Sequence, residues 1–187
     1  TMTELIEYYK GIFTILSSCA SRQLEEVTFR RTVIPVQELL DAAGKYFKKL
    51  MKNRPERIEL EIESMEAKVI GDVNQLRFLL ENLIDEALTV REDGVIRLQA
   101  RKDNEYIRFL FTDTRREKSV EELNQLFYPN LARMTSGEKG ELRGTEYLVC
   151  KQIIRDHDEF AGRRGCRINA EPAEGGGFTV YFTIPRR

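Results

Sequence analysis

The sequence predicts an α+β fold, a two-layer α/β sandwich in which helices cover one face of a sheet, with an extra helix at the N-terminus. Three observations carry that prediction. Gly71-Asp72 opens a strong amphipathic helix, with Leu76, Leu79, Leu80, Leu83, Ile84 and Ala87 on a 3.6-residue period. Ile96, Leu98 and Ala100, then Ile107, Phe109 and Phe111, alternate with polar residues on either side of Asp103-Asn104, as in a hairpin. Helical segments and antiparallel strands are mixed along the chain, and a sheet with helices on one side accommodates that order.

The elements follow in sequence. Residues 3–26 read as a helix, because Leu5, Tyr9, Ile12, Leu16 and Cys19 alternate spacings of four and three, while Ile6, Phe13 and Ala20 widen the stripe. Residues 27–34 are extended. Pro35 suits the first position of a helix that carries Val36, Leu39, Leu40, Ala43, Phe47 and Leu50 on one face. Ile58, Leu60 and Ile62 alternate with glutamates as a half-buried strand, and Lys68–Ile70 is a second short one. After the central helix and hairpin, residues 113–143 are weakly periodic apart from a helical stretch near 119–127. Pro129, Gly137 and Gly140 mark a loop there. A helix over 144–158 and a hairpin of Cys166–Ala170 with Phe178–Ile184 complete the chain.

Composition narrows the function. Thirty basic residues balance 31 acidic ones, so nucleic acid is not the expected partner. The Arg115/Arg116 and Arg163/Arg164 pairs read as solvated loop charge. Three cysteines, Cys19, Cys150 and Cys166, have no metal-ligand spacing, and their odd number fits buried thiols in a reducing, cytoplasmic setting. The sole histidine, His157, rules out a multi-histidine metal centre. No apolar run approaches a membrane span, and no signal peptide opens the chain. Thr1 precedes Met2 and a helix starts at once, as expected of a fragment of a longer protein.

Several stretches resemble the histidine-kinase ATPase family, whose superfamily includes gyrase and the ninety-kilodalton heat-shock chaperone. GDVNQLRFLLENLIDEA (71–87) is similar to the family's N-box helix; Asn82 falls on its first Asn, and Glu86 on the Asn that ligates magnesium. FTDTRREK (111–118) resembles the Asp-x-Gly-x-Gly box, with Asp113 on the adenine-reading Asp and Arg115 and Glu117 on the two glycines. LFYPN (126–130) resembles the start of the ATP lid. In RGTEYLVCKQIIRDH (143–157) Gly144 matches a phosphate-loop glycine, whereas Leu142 and Glu146 replace its neighbours. The C-terminal hairpin resembles the family's closing strands, and His157 falls on a structural position after the last helix. Residues 1–30 resemble the second helix of the kinase dimerisation domain and 31–187 the ATPase domain. The resemblance therefore implies ATP and Mg as ligands at Asn82, Glu86, Asp113 and Gly144, with Glu86 on the metal. It also implies a response regulator, or other domains of the same full-length chain, as partner, and a homodimer through the N-terminal helix. The phosphorylated His would lie upstream of Thr1.

The departures matter physically. Glycine in a phosphate loop permits positive φ and close approach of backbone N–H groups to an anion, and Arg, Glu or Leu obstructs both. Glu86, Glu117 and Glu146 stand where the family handles a magnesium triphosphate. A like charge about 4 Å from a phosphate costs about 1 kcal/mol in water and nearer 4 at an effective dielectric of 20. Three such charges consume much of the roughly 8 kcal/mol of a micromolar ligand. Against this, a carboxylate is a good ligand for a hard cation, and Arg115 or Arg116 can offset acidic neighbours. Plainer roles stay open: Asp113 as a turn residue, Asn82 as a bridge, Glu86 as a solvated helix residue, Gly144 as a helix cap. Three functions follow: a degenerate kinase-like domain with weak or lost ATP binding in bacterial two-component signalling, an active ATP-dependent histidine kinase, and a module that binds another small ligand.

Overall fold

The computed structural model describes residues 2–6, 29–129, 135–136 and 142–187. Its main sheet has five strands in the order β2-β4-β5-β9-β8. These are β2 (Ile58–Ile62), β4 (Gly94–Asp103), β5 (Tyr106–Asp113), β8 (Ile168–Pro172) and β9 (Phe178–Pro185). The pairs β4–β5, β5–β9 and β8–β9 are antiparallel. β2 instead runs parallel to β4, so the sheet is mixed and not wholly antiparallel as the hairpins alone suggest. Parallel pairing needs a long crossover; here β3 (Lys68–Gly71) and helix α2 (Val73–Ala87) lie between the two strands in sequence.

The inward residues predicted for the hairpin, Ile96, Leu98, Ala100, Ile107, Phe109 and Phe111, are all buried. Phe109 stacks on its cross-strand partner Phe182, ring centroids 4.8 Å apart. They join one core with the apolar faces of α1 (Val36–Met51), α2 and α4 (Glu146–Phe160). A short helix α3 (Val120–Asn124) begins at a capping box between Ser119 and Glu122. A small ribbon pairs β6 (Thr135–Ser136) with β7 (Leu142–Arg143).

Local chemistry sets several boundaries. Asp72 caps α2 by accepting from the N–H groups of Asn74 and Gln75 at 3.0 and 3.1 Å. Pro35 does not open α1 from inside; it ends β1 (Thr32–Pro35) and serves as the N-cap, so the helix starts at Val36. The β4–β5 turn lies at Asn104-Glu105, one residue beyond the expected place, because Asp103 still pairs with Tyr106 and Asn104 takes the positive φ of 54°. α4 likewise starts later than expected, at Glu146 after Thr145.

A second, two-stranded sheet pairs β1 with β3 antiparallel. Where it meets the helices, His157 is fully buried within the last turn of α4, not after it. Its Nε2 accepts from the Asp72 N–H at 3.1 Å, which leaves the proton on Nδ1 to donate to the Ile153 carbonyl at 2.8 Å. Burial lowers its pKa from 6.5 to about 4, despite the Ile153 carbonyl and the Asp72 carboxylate. Phe29 packs edge-on against the imidazole, and Arg30 donates its N–H to Asp72. Of the N-terminal stripe, Leu5 and Ile6 lie in a described helical stretch and are half exposed; Tyr9, Ile12, Phe13, Leu16, Cys19 and Ala20 fall outside the described residues. Among the described residues no helix is long and apolar enough to cross a membrane.

Candidate functional site

β5 delivers Asp113 to the end of the sheet, where its side chain is 2% exposed. Thr112 beside it is fixed by a 2.7 Å hydroxyl contact with Thr179 of β9. The carboxylate is enclosed by its own chain. Oδ1 accepts from the backbone N–H and the Nε of Arg115, both at 3.0 Å. Oδ2 accepts from Nη2 of Arg115 at 3.0 Å and from Nε of Arg116 at 3.3 Å. A carboxylate offers about four acceptor positions, and these four donors fill them.

Arg115 is equally committed. Its side chain is 1% exposed. Besides the two contacts with Asp113, Nη1 donates to the carbonyls of Val90 and Glu92, and Nη2 to that of Ala87. A guanidinium has five N–H donors, and all five are engaged. The loop after α2 thus folds around the guanidinium. Gly94 makes room for its stem: with φ at +143°, a Cβ there would stand 2.6 Å from Arg115 Cγ.

Glu86, half-buried on α2, lies 3.8 Å from Nη1 of Arg116, and both side chains are 16% exposed. Arg116 also sits over the Phe178 ring, as does Lys118. The structure therefore gathers Asp113, Arg115, Arg116 and Glu86. Asn82 is buried on the same helix, with its amide turned back to donate to the Phe78 carbonyl at 2.8 Å. Glu146 begins α4 with one carboxylate oxygen buried and unpartnered. Burial, followed by the charge of Glu146 and then that of Glu86, pushes the Cys150 thiol well up. Gly144 precedes the helix with φ at +79°, the conformation a phosphate loop asks of glycine. Glu117 is exposed.

Asp113 and Arg115, both singled out in the sequence, lie together in the structure. Nothing local in the sequence shows that Gly94 and the carbonyls of 87, 90 and 92 surround the Arg115 side chain. Among the described residues no group of three or more His, Cys, Asp or Glu side chains is arranged for a metal ion.

Solved structures of similar fold include histidine kinases. The catalytic domain of histidine kinase ThkA, nucleotide-free, superposes with a TM-score of 0.65 at 21% identity, over 84% of this chain and 97% of that one. A mycobacterial sensor histidine kinase, MprB, gives 0.65 at 18% identity, over 84% and 99%. ThkA in complex with response regulator protein TrrA gives 0.65 at 19% identity, over the whole of this chain and 52% of that one. No curated protein matches the sequence. A family model covers residues 71–187, from the N-cap region of α2 to the last residue. The chain belongs to the histidine kinase-, DNA gyrase B- and HSP90-like ATPase family.

Proposed function

We propose that this chain is the ATPase-like domain of a two-component sensor histidine kinase whose nucleotide site is closed by its own side chains, so that it signals with ATP and magnesium weakly held or not held. The observation that carries the reading is the saturation of Asp113. If Asp113 is the adenine reader that the family pattern implies, its four acceptor positions are already taken by Arg115 and Arg116. An incoming amino group would have to displace a buried bidentate guanidinium and take the Arg115 donor from the Val90 and Glu92 carbonyls.

The residues present do not fit the metal either. Glu86, at the position of the family's magnesium ligand, faces the Arg116 guanidinium. A cation entering there meets a like charge first. Asn82 spends its amide on its own helix, and Glu146 brings a further carboxylate to the start of α4. On this reading the domain relays conformation, in the cytoplasm, to a response regulator or to other parts of its own full-length chain, with homodimerisation through the N-terminal helix.

Thermal unfolding with and without ATP and magnesium tests the proposal. A micromolar site at thousandfold ligand excess stabilises a fold by about 4 kcal/mol, a rise of roughly 10 °C for a domain of this size. The expected change is below about 1 °C at millimolar ATP; a rise near the full amount would show an open nucleotide site and overturn the closed-site reading. Arg115→Gly combined with Glu146→Gly should increase the nucleotide-dependent shift over that of the parent chain. An unchanged shift in a folded double variant would remove Asp113 and its neighbours from the nucleotide site.

A further inference from the structure

Away from the Asp113 site, a groove of about 350 Å³ runs between the β1–β3 ribbon and the turn after α4. Val33, Ile70, Ala161 and Pro185 line it, with Arg31 and Arg163 also on its walls. Val33 and Ile70 are cross-strand partners, so their side chains share one face of the ribbon. Val33 is 42% exposed, and Phe160, next to Ala161 in the chain, is 47% exposed. β1 pairs with β3 on one side only, which leaves an open strand edge among the described residues.

Charge gives the groove its character. Arg31 has no ion pair among the described residues, and its guanidinium rests on Gly162, with Nη1 2.6 Å from the point where a Cβ would stand. Arg163 donates from Nη1 to the Glu105 carbonyl at 3.0 Å, and the Glu105 carboxylate, 72% exposed, lies 3.8 Å away, so the guanidinium keeps most of its donors for a ligand. The backbones of Arg186 and Arg187, which follow Pro185, lie along β3, with Arg187 donating its N–H to the Lys68 carbonyl and Arg186 bridging to Val69. Arg30 and Arg164 adjoin Arg31 and Arg163 in sequence, and Arg164 is the member neutralised closely, by Asp158 at 3.0 Å. This basic excess stands out in a chain of net charge −1, and it is assembled from segments distant in sequence.

We propose that this groove docks an extended acidic segment of a partner protein, with apolar side chains on Val33, Ile70 and Pro185 and carboxylates at Arg31 and Arg163. The proposal rests on the groove alone and is independent of the nucleotide reading. An aliphatic floor between guanidinium groups matches alternating apolar and acidic side chains, and guanidinium pairs well with carboxylate. An open strand edge adds main-chain hydrogen bonds to an extended peptide. A single-stranded nucleic acid would call for aromatic stacking platforms; the residues lining the groove are not aromatic, and Phe160 beside it already packs against Phe29 at 5.8 Å.

Fluorescence anisotropy with the whole chain and a labelled peptide of alternating glutamate and valine tests this. Parallel arms use the glutamine-for-glutamate peptide, an oligodeoxythymidine and phosphatidylserine vesicles. The expected result is saturable binding of the acidic peptide, weakened about tenfold or more by Arg31→Glu with Arg163→Glu. Val33→Glu should weaken it similarly. Arg97→Glu with Arg101→Glu, the same charge change on the outer face of the sheet, should have little effect in folded protein. The proposal fails if the acidic peptide does not bind, if the glutamine peptide binds as well, or if both charge-reversed pairs lose binding alike. It also fails if the oligonucleotide or the vesicles bind more tightly than the peptide through Arg31 and Arg163.

Discussion

At the end of β5, Asp113 and Arg115 bury opposite charges against each other; at the start of α2, Asp72 and His157 close a junction around an uncharged imidazole. Both places are polar, both are inside, and both tie a loop to a helix. They differ in what happens when one member is lost. A buried ion pair gives little net stability over an apolar pair, yet removing one partner strands a charge. A neutral imidazole strands nothing until it is protonated. The first junction should therefore be sensitive to mutation, and the second to pH.

The largest effect is expected for Arg115→Ala. It leaves the Asp113 carboxylate buried with one guanidinium partner and takes the Arg115 donor from the carbonyls of Val90 and Glu92, while that of Ala87 keeps the Val90 N–H. A loss of about 3–5 kcal/mol is expected by urea unfolding. Replacing both residues, as Asp113→Leu with Arg115→Leu, should cost less than the sum of the two single changes. Additive losses would show that the two side chains act separately and would break the contrast.

The pH effect comes next. Burial lowers the pKa of His157 from 6.5 to about 4, so the unfolded chain takes up the proton first. Stability from this group is complete above about pH 6.5 and is lost as pH falls toward 4, by at most about 3 kcal/mol. The carboxylates contribute at the acid end, so the measurement is the difference in unfolding free energy between the parent and His157→Gln across that range. A difference that stays flat with pH would mean that the imidazole titrates alike in the folded and the unfolded chain.

A smaller loss is expected for Gly71→Ala. The added Cβ would stand 2.8 Å from His157 Nε2, 2.9 Å from its Cδ2 and 3.1 Å from Leu76 Cδ1. The ring is pinned by two hydrogen bonds and has little room to yield. A cost of about 1–3 kcal/mol is expected, as for overpacking elsewhere. In the double change Gly71→Ala with His157→Ala, much of that cost should disappear.

These two junctions also mark how far the sequence could be read. Helix α2 was legible because its signals are local: a capping aspartate at 72 and a leucine stripe within fifteen residues. The β4–β5 hairpin was legible for the same reason, apart from a one-residue shift in its turn. The parallel placement of β2 and the separate β1–β3 ribbon were not, since each depends on partners remote in the chain. Asp113 stood out only through the resemblance to the Asp-x-Gly-x-Gly box, since a strand-end aspartate alone reads as a turn residue, and Arg115 stood out by its bulk where that box has glycine. The closed shell around them could not, because Gly94 and three carbonyls must arrive from another loop. Arg163 reads as solvated charge in sequence because the fold alone places it on one groove with Arg31.

The smallest effect should come from Glu86, and it divides the site itself. Asp113 is 2% exposed and held by four donors, whereas Glu86 is 16% exposed and 3.8 Å from Arg116. That separation is beyond the range of a charge-assisted hydrogen bond. Pairs of this kind near the surface contribute about 0–1 kcal/mol. Glu86→Gln should therefore change the unfolding free energy by less than about 1 kcal/mol, against several for Arg115→Ala. It should also leave the response to magnesium as small as in the parent, because the guanidinium that deters a cation is still present. A cost for Glu86→Gln equal to that of Arg115→Ala would mean that both acidic residues belong to one buried network. A magnesium-dependent rise in melting temperature that vanishes in this variant would instead make Glu86 a metal ligand, and the site would then be open where the structure has Arg116 beside it.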